Sequence, residues 1–207
     1  MKYENNNLPD ILNDYLEEIY NNEELRDAFY DIDIEIYDSE WLDDLLKEAD
    51  WKDDFLTGGE PNYDVKPFAR SGDGGLWVVL NDQMIGYMGT EGECGIVARN
   101  VNEFMNIAAM CKGCFFGMTE IKNEESFINA VNMANEEFEP HKVFDEFIEK
   151  HGFEKNVKEI YKIVKLGLTV KPFFVIKATD DEYVDSYSLL GADDGQDALE
   201  YFIANYL

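Results

Sequence analysis

Several places in this chain carry residue types that can do chemistry, and each lacks something that the chemistry needs. Cys111-Lys112-Gly113-Cys114 has the spacing of half a zinc site or of a redox pair. A structural zinc takes four ligands, and the two histidines, His141 and His151, lie ten residues apart rather than at the short spacing of a ligand helix, with Cys94 the remaining thiol. A redox pair opens a helix after a strand, whereas this pair closes one, so the spacing favours small, buried or half-buried side chains at a helix end. Gly72-Asp73-Gly74-Gly75 has neither the Lys-Ser/Thr of a phosphate loop nor a helix after it, and reads as a tight turn needing a positive φ. Glu91 and Glu93 would share a face of a strand, but no nucleophile or ligand set accompanies them, and an exposed loop is the expectation. Asp180-Asp181-Glu182 and Asp193-Asp194-Gly195-x-Asp197 fall short of a calcium loop, which ends in a bidentate glutamate. No catalytic residue, metal site or cofactor is expected.

Charge is the next signal. The chain of 207 residues has 45 acidic and 17 basic residues, a net −28. Residues 1–60 hold 20 acids and 4 bases, −16, more than half of that excess. Self-repulsion on this scale works against the compact state, and solubility alone does not call for it. Nucleic acid and anionic lipid are disfavoured as direct partners, because both are held by clustered Lys and Arg. A basic partner with fast, salt-sensitive association is favoured. The carboxylates are interleaved with aromatics: Asp31, Asp33, Glu35, Asp38, Glu40, Asp43 and Asp44 stand beside Tyr37 and Trp41. Aromatic anchors inside an acidic rim suit recognition of a basic protein, and these nine residues form the candidate partner-binding set.

The elements that must position them follow from periodicity. Residues 8–30 read as a helix, with Leu8, Ile11, Leu12, Tyr15, Leu16, Ile19 and Tyr20 at three- and four-residue spacing and a break available at Asn21-Asn22. Ile32 to Tyr37 alternates strictly, predicting a half-buried strand or extended edge, and Ser39 caps a predicted helix over 40–51. Residues 57–62 read as a loop, and about 65–98 as the sheet region. There Leu76–Leu80 and Met84–Met88 make a hairpin around Asn81-Asp82-Gln83. Asn100 with Glu103 makes a capping-box-like start for a helix to about Met110. Further helices are predicted over 124–137, from Pro140 to about Lys150 with Gly152 as the stop, over 155–166 ending at Gly167, and over 197–206. Residues 172–177 and 183–190 read as a strand pair. The weakest seam lies near Glu139-Pro140. The expected fold is one α+β domain over residues 1–207, with several helices packed on a mostly antiparallel sheet. With no apolar run long enough to span a bilayer, no signal-peptide pattern and three cysteines, the expectation is a cytoplasmic protein without disulfides.

One segment carries a family resemblance. Phe68-Ala69-x-x-Gly72-x-Gly74-Gly75, Ile85-Gly86-Tyr87, Glu91-Gly92-Glu93-x-Gly95-Ile96-x-Ala98 and Asn102-Glu103-Phe104 together resemble the SUKH superfamily, over about residues 40–115. That superfamily includes bacterial toxin-immunity proteins and fungal cell-wall synthesis regulators. The resemblance implies a SUKH-like core followed by an extension of helices and strands from about 116 to 207, and toxin neutralisation as a function. With the acidic excess, it gives the leading expectation: a non-enzymatic immunity protein that occludes a basic, nuclease-like toxin domain. A regulator or scaffold binding several partners, and an acidic DNA-mimic inhibitor, are the alternatives. An enzyme of unknown class is the remaining one.

Overall fold

Leu76-Trp77-Val78-Val79-Leu80 has no polar member, and such a run must be covered on both sides if it forms a strand. In the computed structural model, which describes residues 8–36, 52, 55–56, 58–112, 123–179 and 188–190, all five side chains are buried. They form β3 (Leu76–Leu80), between β2 (Val65–Arg70) and β4 (Met84–Met88). β3 and β4 pair antiparallel from Leu76↔Met88 to Leu80↔Met84, and Asn81 and Asp82 turn the chain at φ 49° and 58°. Asn and Asp tolerate that left-handed region because their short side chains bond locally. β5 (Glu93–Ala98) continues the antiparallel series, and β7 (Ser188–Leu189) adds parallel to it, giving the order β2-β3-β4-β5-β7. The expected α+β class with a mostly antiparallel sheet is what the chain adopts.

Period-two alternation divides the sheet into two faces. Trp77, Val79, Ile85, Tyr87 and Val97 join the larger core with the helices, while Leu76, Val78, Leu80, Met88, Cys94 and Ile96 pack with Phe174 and Ile176. The second face is covered partly by a two-stranded ribbon of β1 (Gly59–Pro61) and β6 (Ile176–Ala178), registered Gly59↔Ala178. This ribbon corrects two expectations. Residues 59–61 are strand rather than loop, and among the described residues 176–178 and 188–189 of the expected strand pair take different partners, β1 and β5. Ile176 is drawn to the second face, whereas Leu189 packs in the larger core beside β5, so the two strands part.

Six helices occur among the described residues. α1 (Asp10–Tyr20) and α2 (Glu23–Tyr30) divide at the expected break, where the Asn22 side chain accepts the Leu25 N–H. Asn100 caps α3 (Val101–Cys111) by accepting the Glu103 N–H at 2.9 Å, and Glu103 accepts the Arg99 N–H in return, a capping box reaching one residue early. α4 (Glu124–Glu137) starts at Asn123, and α5 (Lys142–His151) ends on Gly152 in the left-handed region. α6 (Val157–Leu168) corrects the reading of Gly167 as a stop, because Gly167 lies inside the helix. A Cβ there would sit 2.3 Å from the Val97 carbonyl oxygen, so the glycine lets α6 lie directly on β5. The expected helices over 40–51 and 197–206 lie outside the described residues.

Over residues 32–36 the expected alternation holds, with Ile32, Ile34 and Ile36 buried, and among the described residues one bridge forms, Glu35 with Arg70, an edge contact rather than a full strand. Asp33 stands at φ 61° and interrupts the extended run.

Candidate functional site

The acidic excess meets the fold in the α1–α2 hairpin. Residues 8–36 hold ten carboxylates and one cation, Arg26. The inner stripe is apolar: Leu12, Leu16, Ile19, Leu25, Ala28 and Phe29 are buried. The Phe29 ring meets Phe144 and Phe147 of α5 edge-on, at 5.4 and 5.6 Å between centroids. Aromatic pairs in this geometry add about 0.5–1.5 kcal/mol each beyond their buried area. With the hairpin fixed by its inner face, its outer face is left to solvent. Asp10, Asp14, Glu23, Glu24 and Asp27 are exposed there. Asp10, Asp14, Glu23 and Asp27 have no ion-pair partner among the described residues. Among these carboxylates Tyr30 is 59 % exposed, and Ile11 is 42 % exposed rather than on the buried stripe that its spacing suggested.

The nine residues of the candidate set divide. Tyr37, Asp38, Glu40, Trp41, Asp43 and Asp44 lie outside the described residues. Asp31, the C-cap of α2, is exposed but places Oδ2 2.8 Å from His141 Nε2. Glu35 is half-buried at the bridge to Arg70, and Asp33 is half-buried against the glycine turn. Tyr30 was not in the set. Its signal was available, since it falls off the helical stripe of Leu25, Ala28, Phe29 and Ile32.

Asp33 belongs to a polar cluster at one end of the sheet. Ser71-Gly72-Asp73-Gly74-Gly75 makes the expected turn between β2 and β3, with Gly74 at φ 94°. Asp73 Oδ1 accepts from the Ser71 hydroxyl and from the Gly75 N–H at 3.1 Å, and both its oxygens lie 3.1 Å from the Tyr87 hydroxyl. Trp77 Nε1–H donates to the Asp33 carbonyl at 2.9 Å, and the Gly72 N–H donates to the Asp33 carboxylate. A Cβ on Gly72 would meet Asp33 Oδ1 at 2.6 Å, so glycine lets that carboxylate approach. The electrostatics differ across the cluster. Burial and the neighbouring Asp73 charge raise the Asp33 carboxyl above its usual range, against the Gly72 hydrogen bond. Burial also opposes the Asp73 charge, but donors from Ser71, Gly75 and Tyr87 outweigh it and hold that carboxyl low. Burial, with the charges of Asp73 and Glu93, pushes the Tyr87 phenol up.

The hydrogen bonds that Asp73 accepts come from within this cluster. Ser71 is 2 % exposed and fully engaged, so it is no accessible nucleophile. Glu91 and Glu93 do not share a face. Glu91 is exposed in the turn, whereas Glu93 opens β5 half-buried, its carboxylate filling the space beside Gly89. The two described thiols are buried. Burial pushes Cys94 up to about 12, and Cys111 is buried at the last residue of α3, as the helix-end reading expects, with Cys114 outside the described residues. Among the described residues no group of three His, Cys, Asp or Glu side chains is placed to hold a metal ion. No described helix is long and apolar enough to cross a membrane. No protein-family model matches the chain, and no curated protein or solved structure matches it either.

Proposed function

We propose that this chain is a non-enzymatic binding protein that engages a basic protein through the outer face of the α1–α2 hairpin. The observation that carries the reading is Glu23 and Asp27 of α2, exposed and without an ion-pair partner among the described residues, on the same helix as Tyr30, an aromatic left 59 % exposed. A helix face of this kind attracts Lys and Arg over a distance of about a Debye length, ~8–10 Å at physiological salt, and an amphipathic ring then takes the apolar stems of those side chains. The most concrete form is an immunity protein that occludes a basic toxin domain, in keeping with the SUKH resemblance of residues 40–115. The mutually hydrogen-bonded polar groups of the glycine-rich turn fit a scaffold for binding rather than a site for turnover.

Six of the nine residues of the candidate set lie outside the described residues, and of the other three Asp31 and Asp33 are engaged within the fold; on α2 the exposed carboxylates left to a partner are Glu23, Glu24 and Asp27. The test is the association rate of a basic partner with wild type and with the E23K/E24K/D27K variant across a salt series. Slower association and a flatter salt dependence in the variant are expected. Unchanged kinetics would remove this face from the account.

A further inference from the structure

Two helices carry charge of opposite sign at matching positions. α1 holds four acidic residues and no base, whereas α6, alone of the six described helices, has more Lys and Arg than carboxylates, three against Glu159. On α1, Asp10, Asp14 and Glu17 recur at four- and three-residue spacing and fall on one stripe. On α6, Lys158, Lys162 and Lys165 do the same. The three lysines are exposed, as are Asp10 and Asp14, and Glu17 is half-buried. None of the three acids has an ion-pair partner among the described residues. Lys165 has none there either and lies over the Tyr161 ring, while Lys158 and Lys162 meet Glu124 and Glu159 in exposed pairs that contribute little. Gly167 sets the opposite side of α6 on β5, which turns the lysine stripe outward. Four large apolar side chains are exposed among the described residues, and one stands beside each stripe: Ile11 next to Asp10 and Leu166 next to Lys165, 42 % and 46 % exposed.

We infer that a second copy of this chain docks on these surfaces, the acidic stripe of α1 in one copy lying antiparallel on the basic stripe of α6 in the next. Seven residues of helix rise about 10.5 Å, so the two stripes are equally long. Set antiparallel, Asp10 meets Lys165 and Glu17 meets Lys158. The middle pair, Asp14 and Lys162, is offset by about 1.5 Å, within the reach of a lysine. The apolar residues set the direction. Ile11 and Leu166 each follow the end member of their stripe by one position, so both are turned about 100° in the same sense. The antiparallel arrangement brings them to the same end and the same side, where each covers the other from water, and the parallel one puts them at opposite ends. The net charge of −28 repels whole copies, but that repulsion is screened beyond about 8–10 Å at physiological salt, whereas the stripe charges meet at contact. A face of this size makes a transient contact. Because unlike patches meet, a pair of copies retains one free stripe of each sign, and the contact extends into chains or closes a ring. The inference rests on α1 and α6 and would stand if the α2 face bound nothing.

The experiment is analytical sedimentation of the full chain at physiological salt, over a concentration series up to about 1 mM. The weight-average mass of wild type should rise with concentration. Exposed pairs count for about two- to fivefold each, so D10K/D14K/E17K should lower the association constant roughly ten- to hundredfold. That variant makes the chain six charges less negative, so a change in general repulsion predicts the opposite result. K158E/K162E/K165E should fail alone as well. An equimolar mixture of the two variants should associate again, because the lysine stripe kept by the first meets the acidic stripe kept by the second. L166Q, at an exposed position, keeps the fold and every charge and should weaken association about threefold or more. Wild type that stays monomeric throughout would overturn the inference. So would association retained by either triple variant, a mixture of folded variants that stays apart, or an L166Q chain that associates as wild type does.

Discussion

Two populations of carboxylate in this molecule meet opposite fates. At the sheet end, Asp73 accepts from a hydroxyl, a phenol and a backbone amide, and Asp33 accepts from Gly72 in a half-buried site. On the outer face of α2, Glu23 and Asp27 meet no donor among the described residues. Residue type is the same in both places; what differs is the supply of donors from the local backbone. A turn built of glycines turns its N–H groups and neighbouring hydroxyls inward, so a carboxylate there becomes part of the fold. Past its first turn a helix consumes its own N–H groups, and in the first turn of α2 the Asn22 side chain takes the Leu25 N–H, so Asp27 and Glu23 are left for solvent or for another molecule.

The first way to break that comparison is at its tightest point. D73N should destabilise the protein by about 1–2 kcal/mol at neutral pH, because a charged acceptor with three donors is replaced by a neutral amide, the loss being moderated by water at this exposed carboxylate. Equilibrium urea unfolding measures it. Because the folded Asp73 carboxyl is held low, its contribution is present above the ordinary aspartate range and fades as pH falls through the depressed value, so D73N should lose less than wild type on the acid side. Y87F comes next, at roughly 1 kcal/mol, since it removes one donor to Asp73 and leaves the ring packed 4.9 Å from Trp77.

D33N should go the other way. The folded Asp33 carboxyl is raised, so its ionisation works against the fold as pH climbs from the ordinary aspartate value through the raised one. Asn tolerates the positive φ at this position and can still accept from Gly72. The same unfolding measurement should therefore find D33N equal to wild type or more stable by up to about 0.5 kcal/mol at neutral pH. A loss comparable with that of D73N would show that the two aspartates do one job. The smallest stability effect belongs to the outer face, where E23Q/E24Q/D27N should stay within about 0.5 kcal/mol of wild type in the same assay.

The sequence carried much of this contrast. The break at Asn21-Asn22, the cap at Asn100, the hairpin around Asn81-Asp82-Gln83 and the stop at Gly152 were legible, because each is a short-range contest between a side chain and its own backbone. Gly167 was misread as a stop because its reason is the Val97 carbonyl, far away in sequence. The ribbon of β1 and β6 was missed for the same cause, since nothing local to residues 59–61 announces a partner at 176–178. Within the site, the acidity of the N-terminal third was plain, but which carboxylates are engaged was not. Asp33 is spoken for by Gly72, and Asp31 by His141, across separations that no local pattern encodes.

The most direct test of the central claim is a capture experiment at low salt in lysate of the source organism, with three baits: wild type, D33N, and E23Q/E24Q/D27N. Bound proteins are eluted with rising salt and quantified. The account predicts that one basic protein, in near-stoichiometric amount, is held equally by wild type and D33N and is lost from the α2 variant. Equal retention by all three baits would contradict it, as would only a diffuse set of weak, salt-labile proteins.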